Sequence, residues 1–585
     1  MTLQRTRITL LAALAVACAC RDASRDVADT PARLEQATVS TIDRDLLDVT
    51  VVKLHTLYAG QRYTVTQVVQ WHLARIDRYN GVYGAIETVL REQALADAAR
   101  QDASPAGAVH GPLWGVPIVI KANTSIAGEV TTAGWNGFTR PGHELVAPHD
   151  ATIVTRLRAA GAIIVGIANM PDLANSDTNR STSFGRTGNA YDVRFSPGGS
   201  SGGVVTAVAT NMAVLGNGTD TGNSIRMPAA TSALVGVFPT RGLVSIAGIA
   251  PLDWLLDNTG PIARTADDAA VALSVMAGAD SLDPVTLQAP ASARGTSYEA
   301  ALATASLKGK RFGVPAFVMH GDGVPFHGIP STASDAAFER TRHAADLALR
   351  PETRAMFDKA VAALRAAGAD VVITDDLLPV SFAQRASRVS TYAFMRDGTD
   401  QFLSRFGPAE YRSAAAYQQA VGAPLYTSSI GTEDNFRHIA GVNLAQRTLA
   451  TDAEAERLYL APRRAMLAEY VETLDRLKLD GLVYPAIQMP PPDESMPQDG
   501  QLSGGPHSST SWVNMIGVPA VVVPAGFYAS GLPFGLEFSA RPWTDRELLS
   551  VAAAWERSGT WRMPPALVER GLLAVTPARA ARSRR

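Results

Sequence analysis

Two patterns of apolar residues alternate along the chain. Apolar residues at helical spacing predict helices, and short continuous apolar runs predict buried strands. Apolar residues at helical spacing follow Thr64 and Gln67, a pair with the spacing of a capping box. Residues 113–121 form a nearly continuous apolar run, which is typical of a strand buried on both faces of a sheet. A predicted helix over 150–161 and a predicted strand over 162–166 continue the series. This alternation predicts an α/β fold around a large sheet.

The rest of the chain continues the alternation at longer intervals. Further helices are predicted after Thr265, over 351–367 and over 545–558, and further strands over 311–314, 369–374, 482–485, 518–524 and 534–538. Loops are predicted over 243–261 and 316–350, and a helical layer above one end of the sheet over 390–475. The aromatic residues of 391–426 are interpreted as packing of that layer, with the lining of an acyl pocket as the alternative.

Small polar residues concentrate in one stretch, 196–230. It contains GGSSGG at 198–203 and GTDTGNSIR at 218–226, and the apolar segment between them predicts a buried helix followed by a short strand. Ordering glycine is entropically costly, so clustered glycines indicate turns with positive φ or backbone N–H groups that approach a ligand closely. We therefore expect two places in this stretch where a hydroxyl group is held rigidly.

Composition narrows the class of protein. The chain has 585 residues, 46% of them apolar, and a formal net charge of −2, which argues against a nucleic-acid partner because no basic excess meets the phosphates. Both cysteines, Cys18 and Cys20, lie near the N-terminus, so the body has no thiol for catalysis and no intramolecular disulfide. The segment HGDGVPFH at 320–327 falls short of a metal site, which needs three or four convergent ligands.

The N-terminus has the pattern of an export signal. Arg5 and Arg7 precede an apolar run that is too short to span a bilayer, so residues 1–20 are predicted to be a signal peptide. Cys18 ends a segment similar to a lipoprotein box; lipidation at Cys18 and ordinary cleavage after Ala17 are the two alternatives. We expect a flexible tether over 21–47, a disordered basic tail over 571–585, and a periplasmic or membrane-tethered protein.

A lysine ends the apolar run of the predicted strand 113–121. Lysine is scarce in this chain, and at this place Lys121 would be desolvated. Desolvation lowers the pKa of a lysine and favours the neutral amine, which accepts a proton. Such an amine is the base that a serine hydrolase without a catalytic histidine needs.

These motifs together resemble the amidase signature family of serine hydrolases. The resemblance is carried by GVPIVIKAN at 115–123, GGSSGG at 198–203, GTDTGNSIR at 218–226 and NMIGVPA at 514–520. It implies one amidase domain over 48–570, with an α/β/α sandwich in which helices cover a large mixed β-sheet and helical segments are inserted. It also implies a linear carboxylic amide as small-molecule substrate, and no cofactor or metal.

The resemblance implies a Ser–cis-Ser–Lys triad. Ser224 would attack the amide carbonyl, Ser200 on a cis peptide would relay the proton, and Lys121 would be the base. Twenty-four residues separate the two serines (224 − 200 = 24), which is the interval of the family pattern. The oxyanion hole would be formed by backbone N–H groups, and two charged residues would brace the loop. The N–H groups are those of Thr221, Gly222, Asn223 and Ser224, and the bracing residues are Asp220 and Arg226.

Two residues depart from the family pattern. Asn223 stands before the nucleophile, where glycine is usual, and Ala122 stands after the lysine, where aspartate is frequent. Asparagine tolerates positive φ better than most residues do, so the turn is expected to survive. We expect the Asn223 side chain to affect substrate preference more than the chemistry.

Other interpretations of these motifs stay open. GGSSG at 198–202 also fits the nucleophile elbow of α/β-hydrolases, which requires a preceding strand and a histidine. The same site could serve an esterase or an aryl acylamidase, or the scaffold could be a non-catalytic exported binding protein. A glutaminyl-tRNA amidotransferase component belongs to the same family, and the export signal argues against it.

Overall fold

The computed structural model describes residues 40–105, 108–295, 297–329, 333–422, 446–494 and 505–565. The chain divides into two units, 1–45 and 46–585, and all elements after helix α1 (Thr41–Leu46) lie in the second. Helix α1 falls inside the range 21–47, whose end therefore contains a short stretch of regular structure; the tether itself stays a prediction. The predicted signal peptide, Cys18 and the basic tail 571–585 lie outside the described residues.

One mixed sheet of 11 strands forms the centre of the fold, in the order β1-β3-β2-β4-β6-β5-β10-β11-β9-β7-β8. The strands are β1 (Ile86–Val89), β2 (Pro117–Lys121), β3 (Ile163–Ala168), β4 (Leu215–Asp220), β5 (Val235–Phe238), β6 (Asn258–Ala263), β7 (Arg311–Val314), β8 (Asp370–Ile373), β9 (Gly481–Pro485), β10 (Ala520–Phe527) and β11 (Pro533–Ala540). Strand β2 runs parallel to β3 and β4, whereas β10 is antiparallel to β5 and β11. The predicted α/β fold with a large mixed sheet is confirmed.

Helices cover the sheet. Their bounds in the second unit are α2 (Val51–Ala59), α3 (Val65–Tyr83), α4 (Arg91–Asp102), α5 (Thr152–Ala159), α6 (Gly202–Ala209), α7 (Arg226–Thr231), α8 (Ala266–Met276), α9 (Ala316–His320), α10 (Asp335–Ala344), α11 (Pro351–Ala366), α12 (Val380–Ala386), α13 (Met395–Phe406), α14 (Ala414–Val421), α15 (Ala461–Arg476), α16 (Trp512–Ile516) and α17 (Asp545–Arg557). In the part of the chain that the structure describes, no helix has the length and apolar character of a membrane span.

Local sequence accounts for the elements that position the site. Helix α3 begins with the predicted capping box, in which the Thr64 hydroxyl accepts from the Gln67 N–H and the Gln67 side chain accepts from the Thr64 N–H. All five residues of β2 are buried, as the continuous apolar run predicts. Every residue of α6 is buried too, and this helix begins directly after the GGSS segment.

Two predicted loops contain regular structure. Helices α9 and α10 lie within 316–350, and β6 begins within 243–261, so both loop predictions are wrong in part. The strands β1 and β5 are absent from the sequence-based prediction. The helical layer over 390–475 is confirmed by α13, α14 and α15, although residues 423–445 lie outside the described part.

The aromatic residues of this layer mostly pack in the interior. Phe402, Phe406, Tyr411 and Tyr417 belong to one buried apolar cluster. A cavity of about 640 Å³ touches Trp254, Phe402 and Phe406, but its lining includes none of the three predicted catalytic residues. Packing, rather than an acyl pocket beside the predicted nucleophile, is therefore the interpretation that the structure favours.

Candidate active site

Two neighbouring parallel strands bring the lysine to the glycine-rich stretch. Ile118 of β2 pairs with Leu215 of β4, so the carboxyl ends of both strands lie at the same edge of the sheet. Lys121 ends β2, and Thr219 lies near the end of β4. Ligand sites of α/β folds commonly form at such an edge.

The buried amine of Lys121 is held by three side chains and one carbonyl. Its Nζ lies 2.7 Å from Ser200 Oγ, 2.9 Å from Ser201 Oγ and 2.8 Å from Thr219 Oγ1. It also donates to the Thr219 carbonyl oxygen at 3.2 Å. Lys121 is 0% exposed, so these contacts replace its hydration.

Burial lowers the pKa of Lys121 to about 7, against an opposing effect of the carboxylates of Asp220 and Asp257. A substantial fraction of the amine is therefore neutral near neutral pH. Unlike an ammonium, a neutral amine has a lone pair and can accept a proton from a hydroxyl. The local environment of Lys121 thus favours the neutral amine over the ammonium.

Ser200 follows a cis peptide bond between Gly199 and Ser200, as the resemblance implies. Gly199 has no room for a side chain, because a Cβ there would lie 2.3 Å from the Ser176 carbonyl oxygen and 2.6 Å from that of Thr178. The segment 176–178 therefore packs directly against the cis peptide.

The nucleophile-elbow interpretation of the same glycines does not fit this geometry. Ser200 lies between a bend and helix α6; in the described chain, the strand before it, β3, ends at Ala168. The side chain that contacts the Ser200 hydroxyl is the amine of Lys121, not an imidazole.

Ser224 lies on the loop between β4 and α7, close to the two serines of the first motif. Its carbonyl oxygen accepts a hydrogen bond from the Ser201 N–H at 3.2 Å, and its side chain is almost fully buried. The Ser224 hydroxyl makes no hydrogen bond to any described residue, so the contact from Ser224 to Ser200 is not formed here. Catalytic hydrogen bonds often tighten only when substrate binds.

The backbone around Ser224 offers unused donors. Across the described residues, the N–H groups of Thr221, Gly222, Asn223 and Ser224 donate to no acceptor. Buried N–H groups are rarely left without a partner, so adjacent free donors indicate a place for a ligand oxygen. These are the four groups predicted to form an oxyanion hole.

A buried ion pair fixes this loop from behind. Arg226 Nε lies 3.0 Å from Asp220 Oδ2, and the Arg226 guanidinium donates to the Gly222 carbonyl at 2.6 Å. The same Asp220 oxygen accepts from the Ile225 N–H at 2.9 Å. Burial alone would raise the pKa of Asp220, but the adjacent guanidinium lowers it below its usual value. Both residues occupy the bracing positions predicted from the sequence.

Distant segments complete the brace. Arg226 donates to Glu537 Oε1 at 2.8 Å and to Asn514 Oδ1 at 2.6 Å, and Asn514 Nδ2 donates to Asp220 Oδ1 at 2.9 Å. Burial raises the pKa of Glu537 to about 7, against the opposing charge of Arg226. A guanidinium shared by two carboxylates thus ties the loop to β11 and α16.

Several site residues are absent from the sequence-based prediction. Ser201 and Thr219 contact the lysine, and each lies inside a motif that the sequence singles out. Thr221 Oγ1 donates to Asp257 Oδ1 at 2.5 Å, which anchors the oxyanion loop to another segment. Position within the motifs could have indicated Ser201 and Thr219, whereas no local pattern marks Asp257.

Asn223, the departure from the family pattern, points its amide toward another loop. Its Nδ2 donates to Ser508 Oγ at 2.9 Å. The side chain is partly exposed, so it occupies space next to Ser224 that a glycine would leave open. This supports an influence of Asn223 on which substrates fit.

Comparisons with known proteins agree with this geometry. The Amidase family model matches residues 67–325 and 337–549. A glutamyl-tRNA(Gln) amidotransferase subunit of Symbiobacterium thermophilum is 32% identical over 538 residues, which are 89% of this chain and 99% of the relative.

Solved structures show the same fold. The native peptide amidase from Stenotrophomonas maltophilia aligns with a TM-score of 0.68 and 28% identity, covering 89% of this chain and 98% of that one. An amidase family protein from Bacillus anthracis aligns with a TM-score of 0.67, covering 90% of this chain and 93% of that one; at 24% identity it shows the fold alone.

The chain belongs to the Amidase family, the amidase signature enzymes. It has their α/β fold, and its family places it among hydrolases that act on amide carbon–nitrogen bonds. The family and the fold predicted from sequence are thereby confirmed.

Proposed function

We propose that the protein hydrolyses a carboxylic amide through an acyl-enzyme on Ser224. The observation that carries this proposal is the 2.7 Å contact between the Lys121 amine and the Ser200 hydroxyl, on a motif next to the unpaired N–H groups around Ser224. Nucleophilic catalysis by serine requires a base within reach and donors for the developing oxyanion, and this site holds both.

In the acylation step, the Ser224 oxygen forms a bond to the amide carbon. Its proton passes to the Ser200 oxygen while the Ser200 proton passes to Lys121, so the hydroxyl of Ser200 is restored. The carbonyl oxygen becomes an oxyanion and accepts from the N–H groups of residues 221–224. When the carbon–nitrogen bond breaks, the relayed proton returns through Ser200 to the leaving nitrogen, which departs as a neutral amine or ammonia.

Deacylation repeats the sequence with water. Water adds to the acyl carbon and gives a proton to the same relay, and that proton returns to Ser224 as the ester bond breaks. The products are a carboxylic acid and the regenerated enzyme, and no cofactor enters the balance. The fraction of enzyme with an unprotonated Lys121 is the fraction that can accept the proton from Ser200.

An esterase is the alternative on the same site, since a serine acyl-enzyme also forms from esters. A relay that returns a proton to the leaving group matters more for amides than for esters. An amine must be protonated as it leaves, whereas an alkoxide is a better leaving group and needs the proton less. Parallel assays with an amide and an ester of the same acid distinguish the two. The proposal predicts that removal of Ser200 lowers amide turnover more than ester turnover.

Release of ammonia from glutamine is the second candidate, favoured by the 32% identity to a component of a glutamyl-tRNA(Gln) amidotransferase. The similarity to a peptide amidase points instead to an amide at a peptide terminus. Assaying ammonia release from free glutamine and from a C-terminal peptide amide compares the two directly.

Trapping the intermediate tests the central proposal. With hydroxylamine present, an acyl-enzyme partitions to a hydroxamate, whereas direct attack of water gives only the acid. We expect hydroxamate from the wild type and none from Ser224→Ala. Amide hydrolysis that persists in Ser224→Ala would contradict the assignment.

We also propose that residues 1–20 direct export and that Cys18 is lipidated after cleavage. The support is the Arg5 and Arg7 pattern, the apolar run and the box before Cys18. Mass spectrometry of the mature N-terminus tests this: a diacylglyceryl group on the sulfur of Cys18 is expected, and a mature chain whose Cys18 carries an unmodified thiol would contradict lipidation. Retention of the intact N-terminus in the cytoplasm would contradict export.

A further inference from the structure

A carboxylate that the mechanism does not use lies beside the catalytic motif. Asp177 belongs to the segment 176–178, whose carbonyl groups close over Gly199 and leave no space for a Cβ there. The Ser176 and Thr178 side chains bond to each other at 2.9 Å, which fixes the turn on either side of Asp177. The backbone of Asp177 is therefore held next to the cis peptide that precedes Ser200.

The Asp177 side chain is directed toward the loop that carries the nucleophile. His507 Nδ1 lies 3.8 Å from Asp177 Oδ2, and the Asn223 side chain lies close enough to the Asp177 carboxyl to favour its charged form. Asn223 is the residue before Ser224, and its amide bonds Ser508. Asp177 keeps 28% of its side-chain surface exposed, so the carboxyl lines an open space instead of filling a core position.

In the described part of the chain, the Asp177 carboxyl has no lysine or arginine as a partner. Among the described residues, no lysine or arginine lies within ion-pair distance of Asp177, and the Arg226 guanidinium is shared by Asp220 and Glu537. Burial lowers the pKa of His507, which keeps that imidazole neutral near pH 7. Desolvation, together with the charge of Asp220, raises the pKa of Asp177 to about 7.

A partly desolvated carboxylate that faces open space without a counter-charge is stabilised by a ligand that supplies the opposite charge. Asn223, the neutral side chain beside this carboxyl, favours its charged form without neutralising it. An ammonium group brings both a positive charge and several hydrogen-bond donors. The site is therefore complementary to an amine.

We propose that Asp177 is a specificity residue that binds a primary ammonium group of the substrate. This inference rests on the proposed amide hydrolysis and adds the class of substrate: an amide that carries an amine close to the bond that is cleaved. Asn223 is the positioning residue for Asp177, which gives a physical reason for a residue other than glycine before the nucleophile.

Matched pairs of substrates test the inference. One series consists of ω-aminoalkanamides and of the alkanamides in which a methyl group replaces the ammonium. A second places the ammonium on the leaving side, as N-(aminoalkyl)acetamides against N-alkylacetamides. The measured quantity is the ratio of kcat/KM for the ammonium compound to that for its methyl counterpart.

In the wild type we expect this ratio to reach about 10 to 100 for at least one pair. That is the gain in transition-state binding that a hydrogen bond between oppositely charged groups typically gives. The ratio should fall to about 1 in Asp177→Asn, mainly through KM. Asp375→Asn is the matched control. It is the same substitution at an aspartate that is 94% exposed and about 200 positions away in the sequence (375 − 177 = 198). Its ratio should equal that of the wild type.

Binding without turnover keeps the test independent of the chemistry. Ser224→Ala and the double variant with Asp177→Asn are titrated with the same pairs in a calorimeter. Tighter binding of the ammonium compound to Ser224→Ala alone supports the inference even if hydrolysis fails. Equal ratios in wild type and Asp177→Asn, or equal binding of the two compounds to Ser224→Ala, would overturn it. Asp177→Ser, in addition to Asp177→Asn, separates loss of charge from misfolding.

Discussion

The amine of Lys121 lies 2.7 Å from the hydroxyl oxygen of Ser200, and both groups are fully buried. One residue comes from the end of strand β2 and the other from a turn 79 positions later. Their contact joins a group with a lowered pKa to a hydroxyl that can pass a proton in either direction. In the proposed relay, the contact from Lys121 to Ser200 is therefore already formed, whereas the contact from Ser200 to Ser224 is not.

The first prediction concerns pH. Burial sets the pKa of Lys121 at about 7, and only the deprotonated amine accepts a proton. The kcat/KM for a neutral amide should therefore rise about tenfold per pH unit below pH 7 and level off above it. A neutral substrate is required because Asp177 and His507 lie near the loop of Ser224 and would also affect the binding of a charged one. Lys121→Arg, which stays protonated, should be inactive throughout; activity independent of pH between 5 and 8 would contradict the role of Lys121.

The second prediction separates the two adjacent serines. Ser200 and Ser201 both contact Lys121 Nζ, at 2.7 and 2.9 Å, but only Ser200 is assigned to the relay. Ser200→Ala should lower kcat about 10²- to 10⁴-fold, the range for a lost general acid–base group. Ser201→Ala should have a much smaller effect on kcat. The reverse order in steady-state kinetics would transfer the relay to Ser201.

The third prediction concerns the buried brace. Removing Arg226 leaves Asp220 and Glu537 buried without a counter-charge, so Arg226→Met should lower the free energy of unfolding by about 3–5 kcal/mol. Urea unfolding monitored by circular dichroism measures this change. Arg464→Met is the control, because the ion pair of Arg464 with Glu456 is exposed and screened by water, so its loss should change the free energy of unfolding little. Equal losses in both variants would argue against a structural role for the brace.

The fourth prediction concerns Asn223. Asn223→Gly removes the amide that bonds Ser508 and lies beside the Asp177 carboxyl, while the backbone N–H groups of residues 221–224 are kept. Hydrolysis of neutral amides should continue, and the preference for an ammonium substrate should decrease in the same direction as in Asp177→Asn. The measurement is the ratio of kcat/KM for the matched pairs. An unchanged ratio would remove Asn223 from the binding of the ammonium group.

Much of the fold follows from patterns that are local in sequence. The capping box of α3 and the apolar run of β2 were predictable because their residues are adjacent and their burial is nearly complete. Helix α10 was not predicted because it is short and most of its residues are polar or partly buried, and because the glycines and prolines before it favour a loop. Helix α9 has five residues, too few for a period to be recognised.

The residues of the site also differ in whether local sequence predicts them. Lys121 and the motif of Ser200 were predictable from their own neighbourhoods and from the family resemblance. Glu537 and Asn514 were not assigned to the brace, because they meet Arg226 only through the folded sheet, 311 and 288 positions away. Asp177 was not predicted either. Its proposed role depends on the absence of a described lysine or arginine nearby and on its packing against Gly199, and neither shows in the local sequence.

Labelling with a fluorophosphonate probe, followed by peptide mapping, tests the central claim most directly. The wild type, Ser224→Ala, Lys121→Ala and the control Asp375→Asn are treated in parallel. We expect an adduct on Ser224 in the wild type and the control, and none in Ser224→Ala or Lys121→Ala, because attack requires the nucleophile and its base. An adduct on Ser200 or Ser201, or labelling of Ser224 that persists without Lys121, would contradict the assignment.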